Sequence, residues 1–124
     1  MRYVCLVYFE PGRFFTLSPE GHAEFRRETT ALDDHLKADG RLVFAQALGL
    51  PEQAVTLRVR DGKLKATDGP FIETKEILGG LFMIEARDMA EAIQLAQKSP
   101  FTRVGSVEVR PVLDLTKPFP RAGG

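Results

Sequence analysis

An α+β fold is predicted for this chain by three features of its sequence. Short runs rich in β-branched and aromatic residues alternate with two segments whose apolar residues recur every three or four positions. A third signal, Asp61-Gly62 between two alternating runs, marks a two-residue hairpin. At 124 residues the chain fits one domain with a core of its own, expected over residues 1–115 and followed by a loosely held Pro/Gly-rich tail over 116–124.

Tyr3 to Phe9 reads as the first strand, closed by Glu10-Pro11-Gly12. Ser18-Pro19-Glu20 then supplies an N-cap, a proline suited to the first helical turn and an acid where the helix dipole favours one. The helix is predicted from Pro19 to Asp39. His22, Phe25, Thr29, Leu32 and Leu36 form its inward face, and Gly40 stops it. Arg41 to Leu48 makes a second strand. Val55, Leu57 and Val59 alternate with Thr56, Arg58 and Arg60, and Lys63 to Thr67 returns beyond the Asp61-Gly62 turn. Ile77 to Ala86 is the most apolar strand. Asp88 and Glu91 have the spacing of a capping box, opening a helix to about Lys98 that Ser99-Pro100 ends. Val104 to Val112 is the last strand.

The order β-α-β, hairpin, β-α-β is a ferredoxin-like split βαβ sandwich with an extra β-hairpin. Two helices cover one sheet face, yet Tyr3 to Phe9 and Ile77 to Ala86 are apolar on both. The economical cover for the second face is the same face of another copy, so a homodimer through the helix-free sheet face is expected.

Seventeen basic and seventeen acidic residues cancel, which leaves no broad basic surface for nucleic acid. The apolar N-terminal run is too short for a membrane span or signal, and a cytoplasmic protein is expected. Cys5 is the single cysteine, read as a packed, inert thiol, and with two distant histidines it makes no recognisable metal set. No cofactor is called for.

At Asp68-Gly69-Pro70-Phe71, with Glu73-Thr74-Lys75-Glu76 and Leu78-Gly79-Gly80 behind it, the chain resembles the DGPF branch of the YCII-related proteins over nearly its whole length. Leu17-Ser18-Pro19-Glu20, Val59 to Lys63 and Val107 to Val112 carry the resemblance further. It implies a small, dimeric, ferredoxin-like domain. Some members are encoded beside alternative sigma factors, which adds a protein-interaction role as one alternative, and a few YCII-type relatives are enzymes. In those a histidine on the first helix is thought to pair with an aspartate before the proline after the second helix. Counting back from Gly40 puts Thr29 at the first place, and Ser99 precedes Pro100 at the second. Neither side chain titrates near neutral pH, so the dyad is not carried over.

The candidate ligand pocket comprises His22, Thr29, Asp68, Phe71, Gly79, Gly80 and Ser99, with His22 and Asp68 as candidate catalytic groups. His22 is the residue on the helix face able to move a proton near neutral pH, although a packed, hydrogen-bonded ring fits the same position. Asp68 is either a carboxylate held toward a ligand or the cap of a rigid turn, with Phe71 plugging the core. Gly79-Gly80 inside a strand marks a bulge or a close approach by another backbone or a ligand. The run at Glu73, Lys75 and Glu76, together with Arg58, Arg60 and His35, reads as solvated surface. A small-molecule-binding or accessory module is the first reading. The alternative is a lyase- or isomerase-like enzyme using His22 or Asp68.

Overall fold

The computed structural model describes residues 1–70 and 74–118. Among them the chain runs β1 (Arg2–Phe9), α1 (Pro11–Phe14), α2 (Pro19–Ala38), β2 (Leu42–Ala47), β3 (Val55–Arg60), β4 (Lys63–Asp68), β5 (Ile77–Glu85), α3 (Met89–Ala96) and β6 (Gly105–Pro111). The class is α+β. Four strands form an antiparallel sheet in the order β2-β5-β1-β6, and β3 and β4 pair as a separate ribbon.

β1 is central because both of its faces are apolar. Tyr3, Cys5, Val7 and Phe9 are buried toward the helices, while Val4, Leu6 and Tyr8 point the other way and are only half-buried. The register sets Cys5 opposite Phe82 on β5 and Val109 on β6, so one continuous face meets Leu32 and Leu36 of α2 and Ala92 and Ala96 of α3. Leu36 is fully buried, and truncating such a leucine to alanine costs about 2–5 kcal/mol.

The helix starts follow their caps. Ser18 Oγ accepts the Gly21 N–H at 3.0 Å, and Asp88 Oδ1 accepts the Glu91 N–H at 2.9 Å. Glu91 does not complete the predicted capping box on Asp88. Its carboxylate accepts the Arg87 N–H at 3.0 Å and a hydrogen bond from the Arg41 guanidinium, which ties α3 to the start of β2. Gly40 ends α2 with φ +68°, the left-handed conformation that suits glycine at a helix C-terminus.

One element differs from expectation. The stretch read as a turn after β1 contains the helical turn α1, pinned by Arg13 Nε donating to Glu10 at 2.9 Å, with Phe14 and Phe15 clustered against Phe9 at ring distances of 5.2 and 5.6 Å. Local proline and glycine signals hid this turn, because the aromatic cluster that holds it is long-range. The hairpin turns at Asp61 (φ +54°) and Gly62 (φ +74°) as predicted. Its ribbon stands clear of the main sheet, and Val55, Leu57, Val59 and Leu64 on one of its faces are each 59–67% exposed. The expected tail over 116–124 lies largely outside the described residues.

Candidate functional site

Between residues 22–33 of α2 and the sheet lies a cavity of about 510 Å³, within the usual size of small-molecule sites. Val7, the β5 segment Gly79 to Phe82 and the β2 segment Ala45 to Ala47 form its floor. Phe14, Phe25 and Phe101 bring aromatic rings to its wall, with Phe25 and Phe101 edge to face at 4.6 Å. Such pairs contribute about 0.5–1.5 kcal/mol each beyond their buried area and fix the shape of the wall.

The glycine pair shapes the floor through packing within this chain. Val7 pairs with Gly80 and Tyr8 with Leu78, so Gly79 is the extra residue of a β-bulge. A Cβ on Gly79 would strike the Phe9 ring at 2.7 Å, and one on Gly80 would meet the Gln46 carbonyl oxygen at 2.8 Å. Both alternatives raised by the sequence are therefore present at once: a bulge at Gly79 and a close backbone approach at Gly80.

His22, Thr29, Gly79, Gly80 and Ser99 all line the cavity. His22 is half-buried, its ring edge-on to Phe14 at 5.1 Å. Thr29 Oγ1 donates to the Phe25 carbonyl at 2.9 Å, so its hydroxyl can only accept from a ligand. Ser99, 4% exposed, accepts the Phe101 N–H at 3.3 Å and keeps its own O–H free to donate among the described residues. Thr29 and Ser99 border the same cavity but supply no base.

Asp68 departs from expectation. It ends β4 opposite Val55, exposed, and is not among the cavity-lining residues. Strand pairing carries β4 through Asp68, so the turn begins one residue later at Gly69 (φ +96°), where the Gly69 N–H bonds to the Ala54 carbonyl at 2.7 Å and the Gly69 carbonyl accepts from Thr56 at 2.7 Å. Gly69 and Pro70 border a different hollow, of about 840 Å³, beside Tyr8, Leu48, Leu50 and Leu78. Gly69, Pro70, Thr74, Ile77 and Leu78 thus line one hollow, and Gly79 and Gly80 the other. Phe71 and Glu73 lie outside the described residues. Lys75 pairs with Glu10 at 3.2 Å, and Glu76 accepts from Ser106 at 2.8 Å. His35 lies 3.5 Å from Asp39 on the exposed end of α2.

Both charged residues of the cavity escaped the sequence reading. Arg26 and Asp33 continue the row His22, Arg26, Thr29, Asp33 at spacings of four, three and four, beside the buried stripe of Phe25, Leu32 and Leu36. Their spacing from His22 could have revealed them. Asp33 is half-buried, and burial pushes its carboxyl up from the usual range, with Lys37 opposing and Asp34 adding to the rise. Cys5 is fully buried, its thiol pushed up to about 12 by desolvation, which leaves it unreactive. No group of three or more His, Cys, Asp or Glu among the described residues is arranged for a metal ion, and no helix among them is long and apolar enough to cross a membrane.

A family model for the YCII-related domain matches residues 1–116. The chain belongs to the YCII-related family. This YCII-related chain is 34% identical over 122 residues to an uncharacterized protein of Rhizobium meliloti (strain 1021), covering 95% of itself and 96% of that relative. Its fold resembles that of a 5-chloro-2-hydroxyhydroquinone dehydrochlorinase from Burkholderia phenoliruptrix AC1100, solved in complex with 2,5-dihydroxybenzoquinone, at a TM-score of 0.53 and 16% identity over 91% of this chain and 94% of that one. At that identity the likeness concerns the fold.

Proposed function

We propose that this YCII-related chain is a cytoplasmic ligand-binding or accessory domain of the ferredoxin-like split βαβ plan, holding a small, mostly apolar molecule between α2 and the sheet. The observation that carries this reading is the cavity of about 510 Å³, where aromatic walls meet a few polar groups on one helix face and at Ser99. The chain acts as a homodimer. Val4, Leu6 and Tyr8 on β1 and Leu81 and Met83 on β5 make an apolar, helix-free sheet face that a two-fold partner would cover with its own copy.

The test is a thermal-shift and calorimetric screen of small aromatic compounds against the wild type and Ala47→Phe. Ala47 lies on β2 opposite Gly80, at the cavity floor, so a ring there should fill the space. A compound that raises the melting temperature of the wild type and not of Ala47→Phe supports the reading. Binding unaffected by the blockage would place the ligand elsewhere.

A second reading, an enzyme moving a proton on a small aromatic or quinonoid substrate, is favoured by the cavity position of His22 and by the dihydroxybenzoquinone bound to the dehydrochlorinase of similar fold. Asp68, the other candidate base, is not among the residues that line the cavity, which leaves His22 as the base this reading favours. Turnover abolished by His22→Ala with folding intact would establish this reading.

A further inference from the structure

We propose that Arg26 and Asp33 set the ligand class of the cavity: a small aromatic acid whose acidic group is held by the Arg26 guanidinium and whose ring hydroxyl, at the other end, donates to the Asp33 carboxylate. The inference rests on the cavity reading above and adds the chemistry of the two ends.

Both residues border the cavity, Arg26 exposed at its edge and Asp33 half-buried with only the charge of Lys37 one turn on to oppose its burial. Arg27 pairs with Glu24 at 2.6 Å and Arg103 with Glu28 at 2.5 Å, but Arg26, on the same helix, makes no hydrogen bond or ion pair among the described residues. Asp33 likewise has no hydrogen-bond or ion-pair partner among them, although it is half-buried. Seven residues separate the two, about 10.5 Å along the helix axis, so they do not neutralise each other. A carboxylate that has lost part of its hydration and has no protein donor gains from a donor that arrives, and a ligand hydroxyl would be one. A guanidinium at a pocket rim matches a carboxylate with two parallel hydrogen bonds.

What lies between them fits a ring. Thr29, midway along the row, has donated its proton to the Phe25 carbonyl and offers no competing donor. Phe14, Phe25 and Phe101 supply the aromatic surface. A neutral apolar molecule would engage neither charged group, and a dianion would meet Asp33 with repulsion.

The test compares 4-hydroxybenzoate, benzoate and 4-hydroxybenzyl alcohol by NMR titration of the wild type, Arg26→Gln and Asp33→Leu. For the wild type we expect 4-hydroxybenzoate to bind on the order of tenfold more tightly than either single-ended analogue, with shifts at Gly80 and Ser99. Arg26→Gln should erase the advantage over the alcohol, and Asp33→Leu the advantage over benzoate. Equal binding of all three, or preferences that survive both substitutions, overturns the assignment while leaving the cavity reading in place. Failure of every probe overturns it as well, and failure of the aromatic screen with it removes the cavity reading. Should either variant fail to fold, Arg26→Lys and Asp33→Asn carry the same comparison, the first weakening the carboxylate preference and the second the hydroxyl preference.

Discussion

A Cβ on Gly80 would stand 2.8 Å from the Gln46 carbonyl oxygen, so the approach of β2 to β5 depends on the absence of a side chain at Gly80. The obstacle is backbone within a paired strand and cannot swing aside. Gly80→Ala should therefore lower unfolding free energy by about 1–3 kcal/mol, as overpacking does, and weaken ligand binding at the cavity floor. Urea unfolding checks the first effect and titration the second. An alanine variant of wild-type stability would mean that the two strands are free to separate at this point.

Gly69 has φ +96°, and among the described residues nothing lies within 4 Å of the place where its Cβ would be. The cost of Gly69→Ala is thus conformational and should be about 1 kcal/mol or more, with the cavity unaffected. Ligand titration of this variant beside Gly80→Ala should separate backbone strain from steric crowding, since only the latter changes ligand affinity.

The Glu91 carboxyl is held below its usual range, first by the hydrogen bond from Arg41 and then by the Arg87 N–H. A depressed folded-state value means that the unfolded chain binds the proton more readily. The stabilisation is complete above the ordinary carboxylate value of 4.5 and is lost as pH falls below it toward the folded-state value. Glu91→Gln should be less stable than wild type at pH 7, with the gap closing in acid. A gap independent of pH would show that the pair contributes nothing through its charge.

Asp33 has the opposite sign. Burial raises its folded-state value above 3.8, so its contribution is greatest below that pH and is lost as pH rises through the folded-state value. Asp33→Asn should be slightly more stable than wild type at pH 7 and no more stable near pH 3. Thermal melts across that range measure it.

Leu6 and Leu81 pair across β1 and β5 on the helix-free face. Leu6→Glu should convert the proposed dimer to monomer, because two-fold symmetry places the new charge twice in one apolar interface. Sedimentation should give about twice the chain mass for the wild type and the single chain mass for the variant. A monomeric wild type at micromolar concentration removes the dimer.

The local elements were legible in the sequence because their causes are local. Ser18-Pro19-Glu20 starts α2 through its own hydrogen bond to the Gly21 N–H, Asp61-Gly62 turns the hairpin through left-handed backbone, and the β-branched and aromatic run Tyr3 to Phe9 makes β1. The helix face likewise gave His22 and Thr29, and the strand glycines and Ser99 marked the cavity floor and rim. Only the tertiary structure decided the rest. Residues far apart in sequence hold α1 in place through the Phe9, Phe14, Phe25 and Phe101 cluster. Arg26 and Asp33 look like ordinary solvated charges until the sheet opposite them is in position and encloses a cavity that both border, Arg26 staying exposed at its edge and Asp33 becoming half-buried. Asp68 is the converse case. Its motif suggested a site, but strand pairing with Val55 set it on the ribbon, away from the lining of the cavity that α2 and the main sheet enclose.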